Sequence, residues 1–241
     1  MIQRLRFATM REGADPARFE SALNALAAVA LGEPDEVRPA RATVSITLPD
    51  LVDGPARHDG VLAFWFTDDA NLARFESVVA GAGGAGLAGE EFGAIGDIET
   101  SPVVVAEPIV VRGEAWLDDR WVDGSPRFKH LALAVRAEGL THAEVSVRWR
   151  DHAGSARPAG AAAPAPIPAE ARGAAYVQDH PRPRTDGGWA YDAISEVWFD
   201  TVAALQARIA WFAQNQVGRE ADDLFARSWF LPVREQVVSK R

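Results

Sequence analysis

Residue types suited to proton transfer gather in the C-terminal half of the chain. In 173–180, G-A-A-Y-V-Q-D-H, Tyr176, Gln178 and His180 stand two apart. On a strand that spacing puts them on one face. In 188–200, G-W-A-Y-D-A-I-S-E-V-W-F-D, Asp192, Glu196 and Trp198 share a face by the same rule, among aromatics that belong in a buried strand. A histidine titrates near neutrality and suits a general base. A carboxyl group in an apolar cavity resists ionisation and suits a general acid. His180 and Glu196 therefore read as an acid–base pair, with His152 and Tyr176 as further catalytic candidates. Gln178, Trp198, His130, Arg136 and Asp192 read as substrate-binding, with Arg136 placed to hold a carboxylate. Each residue also has a plainer reading. Glu196 would pair with an arginine or Tyr176, and Asp192 would bond backbone at a strand start. His180 would be a rim histidine tied to the loop P-R-P-R-T-D-G-G, His152 would cap a helix, and His130 and Arg136 would be solvated.

The elements that must position these residues come in two similar sets. Residues 2–10 read as a strand, followed by an Asp15 cap, Pro16 at the first helical position, and Phe19, Ala22, Leu23 and Leu26 at helical spacing. Strands follow at 41–48 and 61–66, then a helix after Thr67, Asp68 and Asp69, a glycine-rich stop at 81–89, and a strand within 103–112, interrupted at Pro108. The second set has a strand at 128–136, a capping box T-H-A-E at 141–144, strands at 173–180 and 191–199, a helix over 201–213 and a closing strand near the C-terminus. Each set is β-α-β-β-α-β, the ferredoxin-like plan, and places the chain in the α+β class. Both faces of strand 61–66 are apolar, so each sheet needs a cover, which the other half would supply, the alternative being two independent domains that each dimerise with another chain. This divides the chain into repeats 1–112 and 128–238 with a join at 113–127, where Trp116 and Trp121 indicate packing. The Pro/Ala run at 155–171 has no counterpart in the first half and reads either as cover for a cavity mouth or as a surface loop.

Composition narrows the classes of function. The net charge of -9 disfavours a polyanionic partner, so no nucleic acid is expected. The absence of cysteine excludes disulfides and thiolate chemistry. No window of about 18 apolar residues is present, and M-I-Q-R-L-R-F-A-T-M is too polar for a signal sequence, so no membrane and a cytoplasmic location are expected. The five histidines show no metal-ligand spacing, and the glycines at 81–89 follow a helix rather than a strand, so neither a metal nor a cofactor is expected.

The second half resembles the EthD family of the dimeric α+β barrel superfamily. The matching stretches are F-K-H-L-A-L-A-V-R-A-E-G-L-T-H-A-E, W-R-D-H-A-G, A-A-Y-V-Q-D-H and Y-D-A-I-S-E-V-W-F-D, the last two being the most specific. The first half is similar to a diverged copy through E-G-A-D-P-A-R-F, R-A-T-V-S-I-T and H-D-G-V-L-A-F-W-F. The resemblance implies a tandem member folding as its own pseudo-dimeric barrel, two ferredoxin-like repeats packed sheet to sheet. It further implies a cofactor-independent lyase, cyclase or dehydratase acting on a small apolar, aromatic or polyketide-like compound. A cofactor-independent monooxygenase and a non-catalytic binding or stress-related protein are the alternatives. The partners expected are that small molecule and, at most, a second copy of the two-repeat chain.

Comparison of the copies sets the expected faces. Matching 173–180 to 42–49 pairs Tyr176 with Ser45, Gln178 with Thr47 and His180 with Pro49, and matching 191–199 to 58–66 pairs Glu196 with Ala63. On this match Tyr176, Gln178, His180, Asp192, Glu196 and Trp198 all face the barrel interior, with His130 and Arg136 on the inward face of their own strand. Asp179 would lie beyond the last covered turn. The first half, having lost these polar residues, would have the equivalent cavity filled.

Overall fold

A computed structural model describes residues 1–81, 90–151, 155–158, 160–161, 163–185 and 187–238. In the first half, β1 (Ile2–Met10), α1 (Pro16–Gly32), β2 (Arg41–Thr47), β3 (Gly60–Phe66) and α2 (Asp69–Ala80) follow the expected order. They are followed by a short helix α3 (Glu90–Ile95), the two-residue β4 (Gly96–Asp97) and β5 (Val103–Arg112). Helix α4 (Glu114–Asp123) makes the join. The second half runs β6 (Arg127–Arg136), α5 (His142–Asp151), the short ladder of β7 (Ser155–Ala156) with β8 (Ala165–Pro166), β9 (Ala175–Pro181), β10 (Ala193–Phe199), α6 (Val202–Gln214) and β11 (Phe225–Val238). The helix starts follow the capping chemistry. Asp15 accepts from Ala17 N at 2.9 Å, Asp68 from Asn71 N at 2.8 Å, and Thr141 and Glu144 bond each other's backbone N–H. Strand β5 runs unbroken through Pro108, and most of the glycine run 81–89 lies outside the described residues.

Eight strands close into one antiparallel barrel in the order β3-β2-β11-β6-β10-β9-β5-β1, with β1 returning to β3. The last strand of each half crosses to the other, so that β5 pairs with β9 and β11 with β2. Among the described residues no long edge is left for a foreign strand to join. The helices of each half lie outside the barrel, α1 packing Phe19, Leu23 and Leu26 on Ala42, Val44 and Leu62. Inside, Leu5, Phe7, Val61, Ala63, Leu131, Leu133, Ile194 and Leu231 form the shared core. Helix α4 covers one end of this core. Its Trp121 packs edge-on against Trp65 at 5.1 Å, and Leu117 meets Ala175, Val177 and Trp198. Among the described residues no helix is long and apolar enough to cross a membrane.

Candidate functional site

The two sets of candidate residues lie on opposite faces of the second-half sheet. Glu196 and Trp198 face the barrel interior, as expected. Tyr176, Gln178 and His180 face outward, toward α5 and α6. The strand register explains the correction. Val44 lies opposite Leu62 in the first half, and Gln178 lies opposite Ser195, the equivalent of Leu62, in the second. Gln178 therefore matches Val44, Tyr176 matches Ala42 and His180 matches Ile46, three residues from the match made on sequence. An odd shift moves every side chain to the other face of the strand. His130 is likewise outward, under α6, and Arg136 lies at the end of the same face. Residue Asp179, expected beyond the covered turn, is fully buried inside the barrel. His152 lies outside the described residues.

In the interior, Glu196 belongs to an ion cluster. Lys129 Nζ reaches Glu196 Oε1 at 2.8 Å and also donates to Glu235, whose other oxygen takes Arg120 from α4 and, at 3.0 Å, the Trp198 indole N–H. All five side chains are buried. Against the cost of burial, Arg120 and Lys129 hold Glu235 well below the usual carboxylate range. Burial alone would lower Lys129, but the two glutamates outweigh it and hold the amine charged. Burial, reinforced by Glu196, pushes Asp179 well above its ordinary range. Neither Asp179 oxygen has a hydrogen-bond partner among the described residues, and the same holds for the Gln3 amide and the Ser45 hydroxyl. Asp192 and Arg136 are tied to each other at the rim. Asp192 accepts the Arg136 backbone N–H at 2.9 Å and its guanidinium at 2.5 Å.

Of the outward residues, Tyr176 borders a cavity of about 140 Å³ between the second-half sheet and α5 and α6. Its floor is made of small residues, Ala132, Ala134, Ala193, Ser195 and Val197, and its apolar walls are Trp149, Phe212, Phe225 and Phe230. Described residues of the Pro/Ala segment, among them Ser155, Pro164 and Ile167, border it too, in keeping with the cover reading. The equivalent space in the first half is filled. Arg6 faces Leu62 and Arg4 faces Phe64 across β1–β3, where Ala132 faces Ser195 and His130 faces Val197 across β6–β10. Only about 10 Å³ remains there.

Three arginines converge on the cavity without a carboxylate partner among the described residues. Arg208, buried on α6, donates Nη1 to Ala171 O at 2.8 Å and Nε to His130 Nδ1 at 3.0 Å. The Arg112 guanidinium is held by the carbonyls of Arg172 and Gly173, and that of Arg172 by the Ile167 carbonyl. Burial lowers Arg208 to about 9, with repulsion from Arg112 adding to it and Tyr176 opposing. Burial also lowers Arg112, and Arg172 repels it. Both remain charged at neutral pH. Nearby Arg157 pairs with Asp223 at 2.9 Å, and the bordering Asp222 accepts the backbone N–H groups of Leu224 and Phe225.

A directed hydrogen-bond chain ends at the same cavity. Ser146 Oγ lies 2.7 Å from His180 Nδ1, His180 Nε2 lies 3.4 Å from Gln178 Oε1, and Gln178 Nε2 donates to both Trp149 O and the Tyr176 hydroxyl at 3.1 Å. Burial, with Arg150 nearby, lowers His180 to about 4, so the ring is neutral and donates from Nε2. Burial raises Tyr176, which keeps its proton. Its oxygen accepts from Gln178, leaving the O–H to point elsewhere. The expected trio thus forms one unit, whose end at Tyr176 lines the cavity. Sequence reading missed the arginines, although Arg208 interrupts the apolar stripe of Leu205 and Phe212 on α6. Among the described residues no group of three or more His, Asp or Glu could hold a metal ion.

Two solved structures are similar over nearly the whole chain. One is a candidate monooxygenase from Lactobacillus acidophilus NCFM, at 10% identity and a TM-score of 0.44, with 99% of this chain and 96% of that chain covered. The other is a candidate chlorite dismutase, at 9% identity and a TM-score of 0.43, with 99% and 94% covered. No family model matches the chain, and no curated protein matches it. Likeness at this level carries nothing about chemistry, so the site is read from its own residues.

Proposed function

We propose that the second half binds a small aromatic organic anion between sheet and helices and that the protein is a cofactor-independent enzyme acting on that anion. The observation that carries the reading is the convergence of Arg112, Arg172 and Arg208, none with a carboxylate partner among the described residues, on a cavity with aromatic walls. Arg208 is buried, Arg112 half-buried and Arg172 exposed, and the repulsion among them would be relieved by an anionic ligand. The aromatic side chains suit a ring beside the charge. In this reading Tyr176 donates its O–H to the ligand, Gln178 and His180 hold Tyr176 in place, and His130 orients Arg208. Glu196, Trp198 and the Asp192–Arg136 pair act as structural groups.

Direct oxygenation suits these residues better than lyase or cyclase chemistry. Proton abstraction in the cavity needs a base. His180 is held at about 4, and the bordering Asp222 already accepts two backbone N–H groups. The arginines instead favour the ionised form of an acidic phenol, whose O–H proton passes to solvent, leaving an electron-rich phenolate able to react with dioxygen. A CH₂ group would become C=O, one oxygen atom entering the product and the other leaving as water. The stretches A-A-Y-V-Q-D-H and Y-D-A-I-S-E-V-W-F-D support an EthD-like second repeat at 128–238, with 1–112 its diverged copy. The test is a screen of phenolic acids and polyketide-like aromatics with and without oxygen. Turnover is expected only with oxygen, and Arg208→Gln is expected to weaken binding about 10- to 100-fold, the loss of a charged hydrogen bond. Product formed without oxygen would establish the lyase or cyclase alternative. Binding without turnover across the screen would establish a binding protein.

A further inference from the structure

The cavity shares a wall with a larger groove, and the wall is built from residues of the site itself. The groove, about 530 Å³, lies on the far side of Phe212 and Phe230 and is lined by His130, Leu51, Ala213 and Trp229. His130 is clamped in this wall, stacked on Phe230 at 5.2 Å and edge-on to Phe212 at 5.3 Å. Its Nδ1 accepts from Arg208, so the neutral ring carries its proton on Nε2. Burial, with Arg208 adjacent, lowers this histidine well below its ordinary range and keeps it neutral. The Nε2–H has no partner among the described residues, and the ring borders the groove. Gly218 lines both spaces at φ +73°, and a Cβ there would stand 2.8 Å from the Phe230 ring, so chain and wall are in close contact.

Size then bears on the ligand. A space near 150 Å³ holds about one benzene ring, and the cavity offers about 140 Å³. We propose that cavity and groove are two lobes of one binding site. The site takes an elongated aryl anion whose charged ring sits with the arginines, whose second ring reaches the groove past Gly218 and Ser228, the small residues that line both spaces, with the Phe230 ring turning aside, and whose linking carbonyl or hydroxyl oxygen accepts from His130 Nε2–H. This rests on the reading that the cavity is an anion site and names the ligand's shape and second anchor.

Calorimetric titration of the full chain separates the two ideas. Benzoate probes the cavity alone, and para-phenylbenzoate adds a ring for the groove. The second ring is expected to tighten binding roughly tenfold or more from its apolar burial. Ala213→Trp, on the exposed groove side of α6, should erase that gain and leave benzoate unchanged. para-Benzoylbenzoate should bind about fivefold tighter than para-benzylbenzoate, which lacks only the carbonyl oxygen. His130→Asn, which keeps an acceptor for Arg208 but loses the Nε2–H, should abolish that preference. If neither benzoate nor para-phenylbenzoate binds, the anion-site reading fails. If benzoate binds while the second ring adds nothing, or if Ala213→Trp leaves the gain intact, the two-lobe site fails and the anion site stands. An unchanged carbonyl preference in His130→Asn overturns the role of His130.

Discussion

The two halves share a plan and differ in where they place bulk and charge. On the outer face the first half carries Arg6, Leu62 and Phe64, and its helices pack down on them. At the same register the second half carries Ala132, Ser195 and Val197, and a cavity opens. On the inner face the order reverses in polarity. Gln3, Ser45 and Ala63 stand in the first half where Lys129, Asp179 and Glu196 stand in the second. One half is therefore packed solid at this face, and the other leaves a cavity there. The barrel joins them, so stability lost in the second half is borne by both.

The sharpest way to break this comparison is at the equivalent interior positions. Lys129→Met strands Glu196 and Glu235 without their shared cation and should cost about 3–5 kcal/mol. Gln3→Met removes an amide without partners among the described residues and should be neutral or stabilising. Urea unfolding of both variants measures the contrast, and equal effects would mean that the halves do not divide the interior as described. A second experiment moves the first half's side chains into the second. Ala132→Arg with Ser195→Leu fills the cavity floor and should reduce binding of aryl anions by on the order of 10- to 100-fold. The circular dichroism spectrum should be kept, because the first half already accommodates this pair across β1–β3. Retained affinity would show that the cavity is not where the ligand sits.

A third experiment concerns Asp179 and its counterpart Ser45. A carboxyl group whose folded pKa lies above its unfolded value destabilises the fold as pH rises, because the unfolded chain ionises first. Here burial and Glu196 raise Asp179, so the penalty is absent below about pH 4 and grows as pH climbs toward the folded value. Asp179→Asn should therefore stabilise the protein at pH 8 and do little at pH 4.5, read from paired unfolding curves. A gain independent of pH would assign the effect to packing.

Period and capping were enough to read the fold. The alternation in 41–48, the Asp15–Pro16 start and the Thr141–Glu144 box each act locally, and the doubled β-α-β-β-α-β order follows from them. The site was half legible. Strand β10 was assigned its faces correctly because Trp198 and Phe199 align with Trp65 and Phe66 without ambiguity. Strand β9 was not, because its copies share too few side chains to set the register, and a three-residue slip reversed Tyr176, Gln178 and His180. Lys129 was invisible as a partner for Glu196, since that pairing depends on the neighbouring strand. The arginines were hidden for another reason. Arg112, Arg172 and Arg208 lie far apart in sequence, and only the turn at 169–173, packed against α6 and β5, brings them together.

The exchange of last strands also governs how the chain is made. A first half leaving the ribosome alone would have β2 and β5 as bare edges, since their outer neighbours, β11 and β9, belong to sequence not yet synthesised. Its apolar inner face would be uncovered for the same interval. Closure waits for β11, 225–238, whose residues pair with β2 partners 186 to 196 positions earlier. Contacts of such long range slow folding and prolong exposure of strand edges. Barrel closure therefore cannot precede synthesis of residues 225–238, and until then β2 lacks its outer neighbour.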